Sequence, residues 1–167
     1  ADERAYGDWR EMLKGEKDRA DRVDLVTVAT PNATHFEITK AFHEAGFHVL
    51  CEKPMTMSVE EGEEIVRVAE ASGKVLAVNY AYSAYPMVRQ ARAMVRAGEI
   101  GKVRLVVTTF AHGHHADATD ADNPRVRWRY DPAMAGVSDS FPIIRGTIAV
   151  MASFICDDEV TRLSADF

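Results

Sequence analysis

Three short apolar runs, each followed by polar residues, dominate the first half of the sequence. They are Leu25–Ala29, His48–Cys51 and Val75–Val78, and each has the length and composition of a buried strand. Apolar residues recur at helical spacing between them, and Gly46 and Gly73 stand where these helices are expected to end. Strand, helix and strand within about 30 residues form a βαβ unit, so the pattern predicts an α/β fold with a partial doubly wound parallel sheet.

Local capping signals predict where further helices begin and end. Asp8 precedes a short amphipathic stretch, and Ser58 with Glu61 three residues later has the pattern of a capping box. Pro86 occupies the expected first position of another helix, and Gly98 is expected to end it.

The second half of the sequence follows a different pattern. Val103–Phe110 is rich in β-branched residues and predicts a strand, and Val160–Phe167 predicts another one. Between them lie a long polar segment, Ala111–Arg127, and an apolar, helix-like stretch, Ile148–Ile155. We therefore predict a domain boundary near residues 80–84.

Two polar turns follow the first two predicted strands. They are Thr30-Pro31-Asn32 and Glu52-Lys53-Pro54, and Pro31 removes a backbone donor where the first strand should stop. Ligands of parallel sheets bind beyond the carboxyl ends of the strands. The sequence therefore predicts a site where these two turns meet.

Composition and charge argue against several classes of function. The chain has 167 residues, 47% of them apolar, and a formal net charge of −6, which disfavours binding to nucleic acid or to a membrane surface. No apolar run approaches the roughly 20 residues of a membrane-spanning helix. The opening residues Ala1–Arg4 do not resemble a signal peptide. Because the two cysteines, Cys51 and Cys156, lack metal-ligand spacing, we expect a reducing, cytoplasmic setting.

One expected motif is absent from the sequence. A doubly wound nucleotide-binding domain begins with a strand, a glycine-rich turn and a helix that receives the pyrophosphate, and no G-x-G-x-x-G occurs in the 167 residues. The first half therefore has the pattern of the later part of such a domain. We expect the chain to be a fragment, cut at both ends, and to bind a dinucleotide weakly by itself.

Two motifs carry a resemblance to a known protein family. The first is Ala29–Asn32 with His35, and the second is Gly46–Pro54, both within the predicted βαβ unit. Gly98–Val103 and Trp128–Gly136 match further segments of the same family. With these residues, the chain resembles the glucose–fructose oxidoreductase / inositol 2-dehydrogenase family of NAD(P)-dependent sugar dehydrogenases.

The resemblance implies a fold, a reaction and partners. Residues 1–82 would be the later part of an NAD(P)-binding Rossmann domain. Residues 83–167 would begin a C-terminal substrate and oligomerisation domain, an α+β domain with a mainly antiparallel sheet. The implied reaction oxidises a hydroxyl of a sugar, polyol or related small molecule by hydride transfer to NAD or NADP. A homodimer or homotetramer is expected for the intact protein, with no nucleic-acid or membrane partner.

The resemblance also implies a set of site residues. Lys53 is the implied catalytic residue, which would touch both the nicotinamide ribose and the reacting hydroxyl. The implied cofactor-binding residues are Thr30, Pro31, Asn32, His35, Glu52, Lys53, Pro54, Asn79, Trp128 and Arg129. Tyr82 and His112 are the implied substrate contacts. A lysine near the positive nicotinamide ring can have its pKa lowered toward neutrality and can polarise the oxygen of the reacting hydroxyl.

Several of these residues also have a plain structural interpretation. His35, in the first turn of a helix, is either a satisfied structural histidine or a ribose contact. Trp128, Arg129 and Tyr82 are either ligand contacts or packing residues. The histidines of the segment His112–His115 resemble metal ligands, but no carboxylate or cysteine has matching spacing, so no metal is expected.

The chain departs from the family at its general base. That base is usually a histidine four residues after an aspartate, but here Ile148 stands in the histidine position, after an intact Gly146-Thr147. Ile143 or Ile144 stands in the aspartate position. The departure is either a true loss of the catalytic pair or a compensated reading-frame slip, and resequencing codons 137 to 150 distinguishes the two.

Three functional hypotheses follow from the sequence. The first is an NAD(P)-dependent oxidoreductase, which the Lys53 turn favours. The second is a non-catalytic relative that binds a cofactor or sugar and has lost its general base, which Ile148 favours. The third is a plain structural α/β module, which would require Thr30, Asn32 and Lys53 to point away from any cleft.

Overall fold

The computed structural model describes residues 4–110, 122–136, 140–162 and 164. The chain divides into two compact units. The first unit is Ala1–Asn79 with Asn123–Asp139, and the second is Tyr80–Asp122 with Ser140–Phe167. The assignment of residues 1–82 and 83–167 to two functional domains stays a prediction.

A three-stranded parallel sheet forms the centre of the first unit. Its strands are β1 (Leu25–Val28), β2 (His48–Glu52) and β3 (Leu76–Asn79), and they are hydrogen-bonded in the order β1-β2-β3. The strands end at nearly the same level. Val28 at the end of β1 pairs with Cys51 of β2, and Glu52 at the end of β2 pairs with Asn79 at the end of β3. The predicted α/β class and parallel sheet are confirmed.

Helices alternate with these strands as the capping signals predicted. The helices of the described chain are α1 (Trp9–Glu16), α2 (His35–Glu44), α3 (Val59–Ser72), α4 (Pro86–Arg96), α5 (Pro132–Ala135) and α6 (Ser140–Cys156). Ser58 Oγ accepts from the Glu61 amide at 3.2 Å, but the Glu61 carboxylate accepts from the amide of Met57 at 3.0 Å, one residue before the expected partner. Gly73 follows α3 with φ 63°, a left-handed conformation that glycine adopts without strain.

The core of the first unit lies between the sheet and α2. Phe42, Phe47, Val49 and Cys51 are each 0% exposed, and the rings of Phe42 and Phe47 meet edge to face with centroids 5.5 Å apart. Edge-to-face packing is a favoured geometry because the positive edge of one ring meets the negative face of the other. This core fixes the positions from which both strand-end turns project.

Two helices and an ion-pair cluster organise the described part of the second unit. Arg92 and Arg96 of α4 both pair with Asp157, which follows α6, and the Arg92 guanidinium lies 4.2 Å from the ring centroid of Phe154. The helix predicted at Ile148–Ile155 is confirmed and is longer at its N-terminus. Among the described residues, the helices are too short or too polar to span a bilayer.

Both strands predicted for the second half are wrong where the structure describes them. Among the described residues, Val103–Phe110 are not assigned to a strand, and neither are residues 160–162 and 164. Leu105 and Val107 are each 80% exposed. β-branched residues favour an extended chain, but a strand also needs a neighbour to pair with, and the described residues do not supply one.

Candidate active site

Both strand-end turns lie at the same edge of the parallel sheet. Val28 pairs with Cys51, so the chain leaves β1 and β2 at matched positions and in the same direction. Thr30 is exposed and Pro31 is half-buried in the first turn. Lys53 and Pro54 are half-buried in the second, where the Lys53–Pro54 peptide bond is cis. The sequence prediction that the two turns meet at one edge therefore agrees with the geometry.

The Lys53 ammonium group is partly removed from water. Burial lowers the pKa of Lys53, the negative charge of Glu52 opposes that shift, and the positive charge of Arg129 adds to it. Burial disfavours the charged form of an amine, and a nearby like charge does the same. The site therefore contains an amine that releases its proton more readily than a surface lysine.

The Glu52 carboxylate is held by the end of the neighbouring strand. Asn79 Nδ2 donates to Glu52 Oε1 at 2.5 Å, and the Lys53 amide donates to Glu52 Oε2 at 3.3 Å. Glu52 and Asn79 are register partners across β2 and β3, which places both side chains at one position along the sheet. These two hydrogen bonds therefore fix the orientation of the Glu52 carboxylate, next to Lys53 in the chain.

His35 joins the two turns through their backbones. It is 1% exposed, with Nδ1 2.7 Å from the carbonyl oxygen of Pro54 and Nε2 2.7 Å from the carbonyl oxygen of Thr30. Both ring nitrogens are thus engaged with main-chain acceptors. A direct contact of this ring with a nucleotide stays a prediction.

Asn32 fastens a distant segment to the first turn. Its side chain is buried, and Nδ2 donates to the carbonyl oxygen of Ala135 at 3.0 Å. The next residue, Gly136, has φ 109°, and a side chain there would lie 3.7 Å from Met57. The sequence did not predict this contact between residues 32 and 135. Its one local signal is Gly136, a residue type that tolerates the positive φ needed where the backbone turns after α5.

Trp128 and Arg129 belong to the same unit as the two turns. The Arg129 guanidinium carbon lies 4.5 Å from the centroid of the Trp128 ring, and its charge reaches Lys53. Asp131 then caps α5 by accepting from the amide of Ala133 at 2.9 Å. The structure therefore brings this predicted segment to Lys53, whereas its contact with a cofactor stays a prediction.

Sequence and structure comparisons identify relatives of this arrangement. The sequence model of an oxidoreductase family with an NAD-binding Rossmann fold, the glucose–fructose oxidoreductase / inositol dehydrogenase family, matches residues 1–80. An inositol dehydrogenase homologue of Azotobacter vinelandii, solved with NAD+, superimposes with a TM-score of 0.87 at 38% identity, over 94% of this chain and 40% of its own. The chain belongs to this oxidoreductase family.

Two further members of the oxidoreductase family show how far the similarity extends. The uncharacterised oxidoreductase YfiI of Bacillus subtilis is 44% identical over 137 residues, which are 81% of this chain and 35% of that protein. A levoglucosan dehydrogenase of Pseudarthrobacter phenanthrenivorans is 31% identical over 134 residues, 80% of this chain and 32% of that protein. The chain therefore spans about a third of the length of these two relatives.

Of the other predicted site residues of this family member, Tyr82 belongs to the second unit and His112 is not described. Tyr82 is half-buried in the second unit, where its ring meets those of Tyr85 and Phe110 at 5.4 Å and 6.0 Å. His112 lies outside the described residues, as do the other histidines of its segment. No group of three potential metal ligands occurs among the residues that the structure describes.

Ile148 occupies the position at which the family resemblance implies a histidine. It is half-buried on α6, next to the buried Thr147. The side chains of Ile143 and Ile144, the candidates for the aspartate position, lie outside the described residues. At the sheet edge of the first unit, the titratable side chain whose pKa burial lowers is Lys53.

Proposed function

We propose that the chain is part of an NAD(P)-dependent oxidoreductase that oxidises a hydroxyl of a sugar, polyol or related small molecule, with Lys53 as its catalytic residue. The observation that carries this proposal is the half-buried Lys53 amine, whose pKa burial lowers, at the carboxyl edge of a parallel sheet. Ligands of doubly wound sheets bind at that edge. The similarity to an inositol dehydrogenase homologue and to a levoglucosan dehydrogenase supports the class of substrate.

The residues at the sheet edge suit a nicotinamide dinucleotide. Thr30 is exposed, Glu52 presents a fixed carboxylate, and Arg129, which lies against the Trp128 ring, acts on Lys53 through its charge. These residues would hold the ribose and nicotinamide parts of NAD or NADP. When bound, the dinucleotide would supply the acceptor for the hydride of the substrate carbon.

Lys53 would control the proton of the reacting hydroxyl. An alcohol gives up its hydride readily only when its hydroxyl proton is removed or strongly polarised, and a neutral amine can accept that proton. Burial and Arg129 favour the neutral form of Lys53, while Glu52 orients the ammonium after the transfer. This arrangement gives Lys53 a role that does not depend on a histidine at position 148.

The first test measures NAD(P) reduction by the full-length gene product with a panel of polyols and sugars. Lys53→Ala should lower kcat/KM by about 10²–10⁴-fold, the usual contribution of a positioned acid or base. Lys40→Ala is the control, because Lys40 is bound to Glu64 on the surface. Turnover that survives Lys53→Ala would contradict the proposal.

A second test uses the two charges that act on Lys53 in opposite directions. The acid limb of the kcat/KM profile reports the pKa of a base in the free enzyme. Arg129→Gln should move that limb to higher pH, because Arg129 lowers the pKa of Lys53. Glu52→Gln should move it to lower pH, because Glu52 raises that pKa. Shifts in the same direction would exclude Lys53 as the titrating base.

The alternative function is a non-catalytic relative that binds a cofactor or a sugar. Ile148 favours it, because the family's usual general base is absent at that position. Binding of NADH without turnover, in both wild type and Lys53→Ala, would support this alternative. Restoration of turnover by Ile148→His would show that the residue at 148 decides between the two functions.

A further inference from the structure

Two carbonyl oxygens face the two ring nitrogens of His35. Pro54 O lies 2.7 Å from Nδ1, and Thr30 O lies 2.7 Å from Nε2. A carbonyl oxygen only accepts hydrogen bonds, and a neutral imidazole has only one N–H. With a neutral ring, one contact would set a lone pair against a lone pair at hydrogen-bond distance. The geometry is satisfied when both nitrogens carry a proton.

We propose that His35 is a buried imidazolium that holds the two strand-end turns together and so acts as a positioning residue for the dinucleotide site. Its Nδ1–H donates to the turn after β2, and its Nε2–H donates to the turn after β1. Hydrogen bonds from a charged donor are about twice as strong as those between neutral groups. The functional half of this proposal rests on the proposed oxidoreductase function.

The surroundings of His35 stabilise the charge despite its burial. Burial alone lowers the pKa of His35, but the Cys51 side chain of β2 and the Pro54 and Thr30 carbonyls raise it, and the net pKa lies above its ordinary value. Among the described residues, Cys51 is the titratable side chain that affects the pKa of His35. The helix α3 also packs on α2, but its Glu64 carboxylate pairs with Lys40.

His43 provides a matched comparison on the same helix. It is also a fully buried histidine, but among the described residues its Nε2 has no hydrogen-bond partner, and its Nδ1 is 3.4 Å from Ser72 Oγ. Burial, and next the charge of His48, lower the pKa of His43. Two buried histidines of one helix are therefore assigned opposite charge states.

The His35 contact also explains how Lys53 is placed. Pro54 follows Lys53 directly, so the hydrogen bond to Pro54 O restrains the residue that carries the reacting amine. Thr30 lies at the exposed end of the other turn. Deprotonation of His35 removes one of the two donors, and the turns then lose a direct link.

Nuclear magnetic resonance of the ring nitrogens tests the charge on this chain without any cofactor. At pH 6 we expect both nitrogens of His35 to give protonated N–H signals, whereas His43 should retain one bare nitrogen. A bare nitrogen on His35 at pH 6 would overturn the proposal. His35→Gln should remove the His35 signals, which assigns them, and His43→Phe should leave them unchanged.

The dissociation constant of NADH for the full-length gene product tests the positioning role. It should rise about tenfold as the pH passes the measured pKa of His35, as expected for loss of one charge-assisted hydrogen bond. His35→Phe and His35→Gln should both abolish that pH step, and His43→Phe should keep it. If His35→Phe fails to fold, His35→Gln still tests whether the step is lost, because its amide can donate to one carbonyl and so keep one of the two links.

The outcomes separate this proposal from the proposed function. A protonated His35 ring together with a pH-independent dissociation constant would overturn the positioning role alone. An absence of NADH binding in wild type at every pH would overturn the dinucleotide site and with it the positioning role, while the ring signals would still decide the charge.

Discussion

The two units of the chain bury their apolar side chains to very different extents. In the first unit, Phe42, Phe47 and Val49 are 0% exposed, packed around a paired sheet. In the described part of the second, Leu105 and Val107 are 80% exposed on an unpaired backbone. Apolar residues are frequent in the sequences of both units, so amino-acid composition does not explain the difference in burial. The first unit contains the neighbouring strands that its own strands need.

The largest effect that tests this contrast is the loss of a core ring in the first unit. Phe42→Ala should lower the free energy of unfolding by about 3–5 kcal/mol, because it removes buried area and leaves a cavity. Phe42 touches Phe47 edge to face, and Trp9 lies 6.4 Å away between centroids. Urea unfolding followed by circular dichroism measures the change. A loss below about 1 kcal/mol would contradict the assignment of Phe42 to a closely packed core.

A second effect in the first unit is confined to acid pH. Glu16 is 1% exposed, and hydrogen bonds from Arg4 lower its pKa to about 2. Burial opposes this shift, whereas hydrogen bonds from Tyr6 and from the Val23 amide add to it. A carboxyl with a lowered pKa in the folded state stabilises that state above its unfolded pKa of 4.5, and the stabilisation is lost as the pH falls toward about 2.

Glu16→Gln tests that pH dependence. The difference in urea midpoint between wild type and Glu16→Gln should be constant above roughly pH 5 and should shrink steadily below it. Glu11→Gln, on the exposed side of the same helix, is the control and should show no such trend. A difference that grows toward acid pH would have the wrong sign and would contradict the buried ion pair.

The contrast between the units also explains what the sequence could predict. The three strands, the Ser58 cap and the turn at Lys53 are encoded by local patterns, namely apolar runs, capping residues and prolines. The contact from Asn32 to Ala135 and the charge on His35 depend on residues distant in sequence, so local patterns could not indicate them. The strand predicted at Val103–Phe110 failed for the same reason, because pairing is a property of two segments.

The smallest expected effect compares one substitution in both units. Val107→Ser should change the free energy of unfolding by no more than about 0.5 kcal/mol, as for exposed positions generally, because Val107 is 80% exposed. Val49→Ser is the matched control, and it should be strongly destabilising because Val49 is 0% exposed and its register partners lie on both sides. Equal costs at the two positions would mean that Val107 is buried in solution.

Measuring Val107→Ser and Val49→Ser in the full-length gene product as well tests whether Val103–Phe110 pairs with another strand there. If further chain supplies a strand beside Val103–Phe110, Val107→Ser should become clearly destabilising there, while the cost of Val49→Ser should stay the same. The difference between this chain and the full-length gene product isolates the contribution of such a neighbouring strand, because the substitutions are identical in both. An unchanged, near-zero cost at Val107 would show that its side chain stays in water.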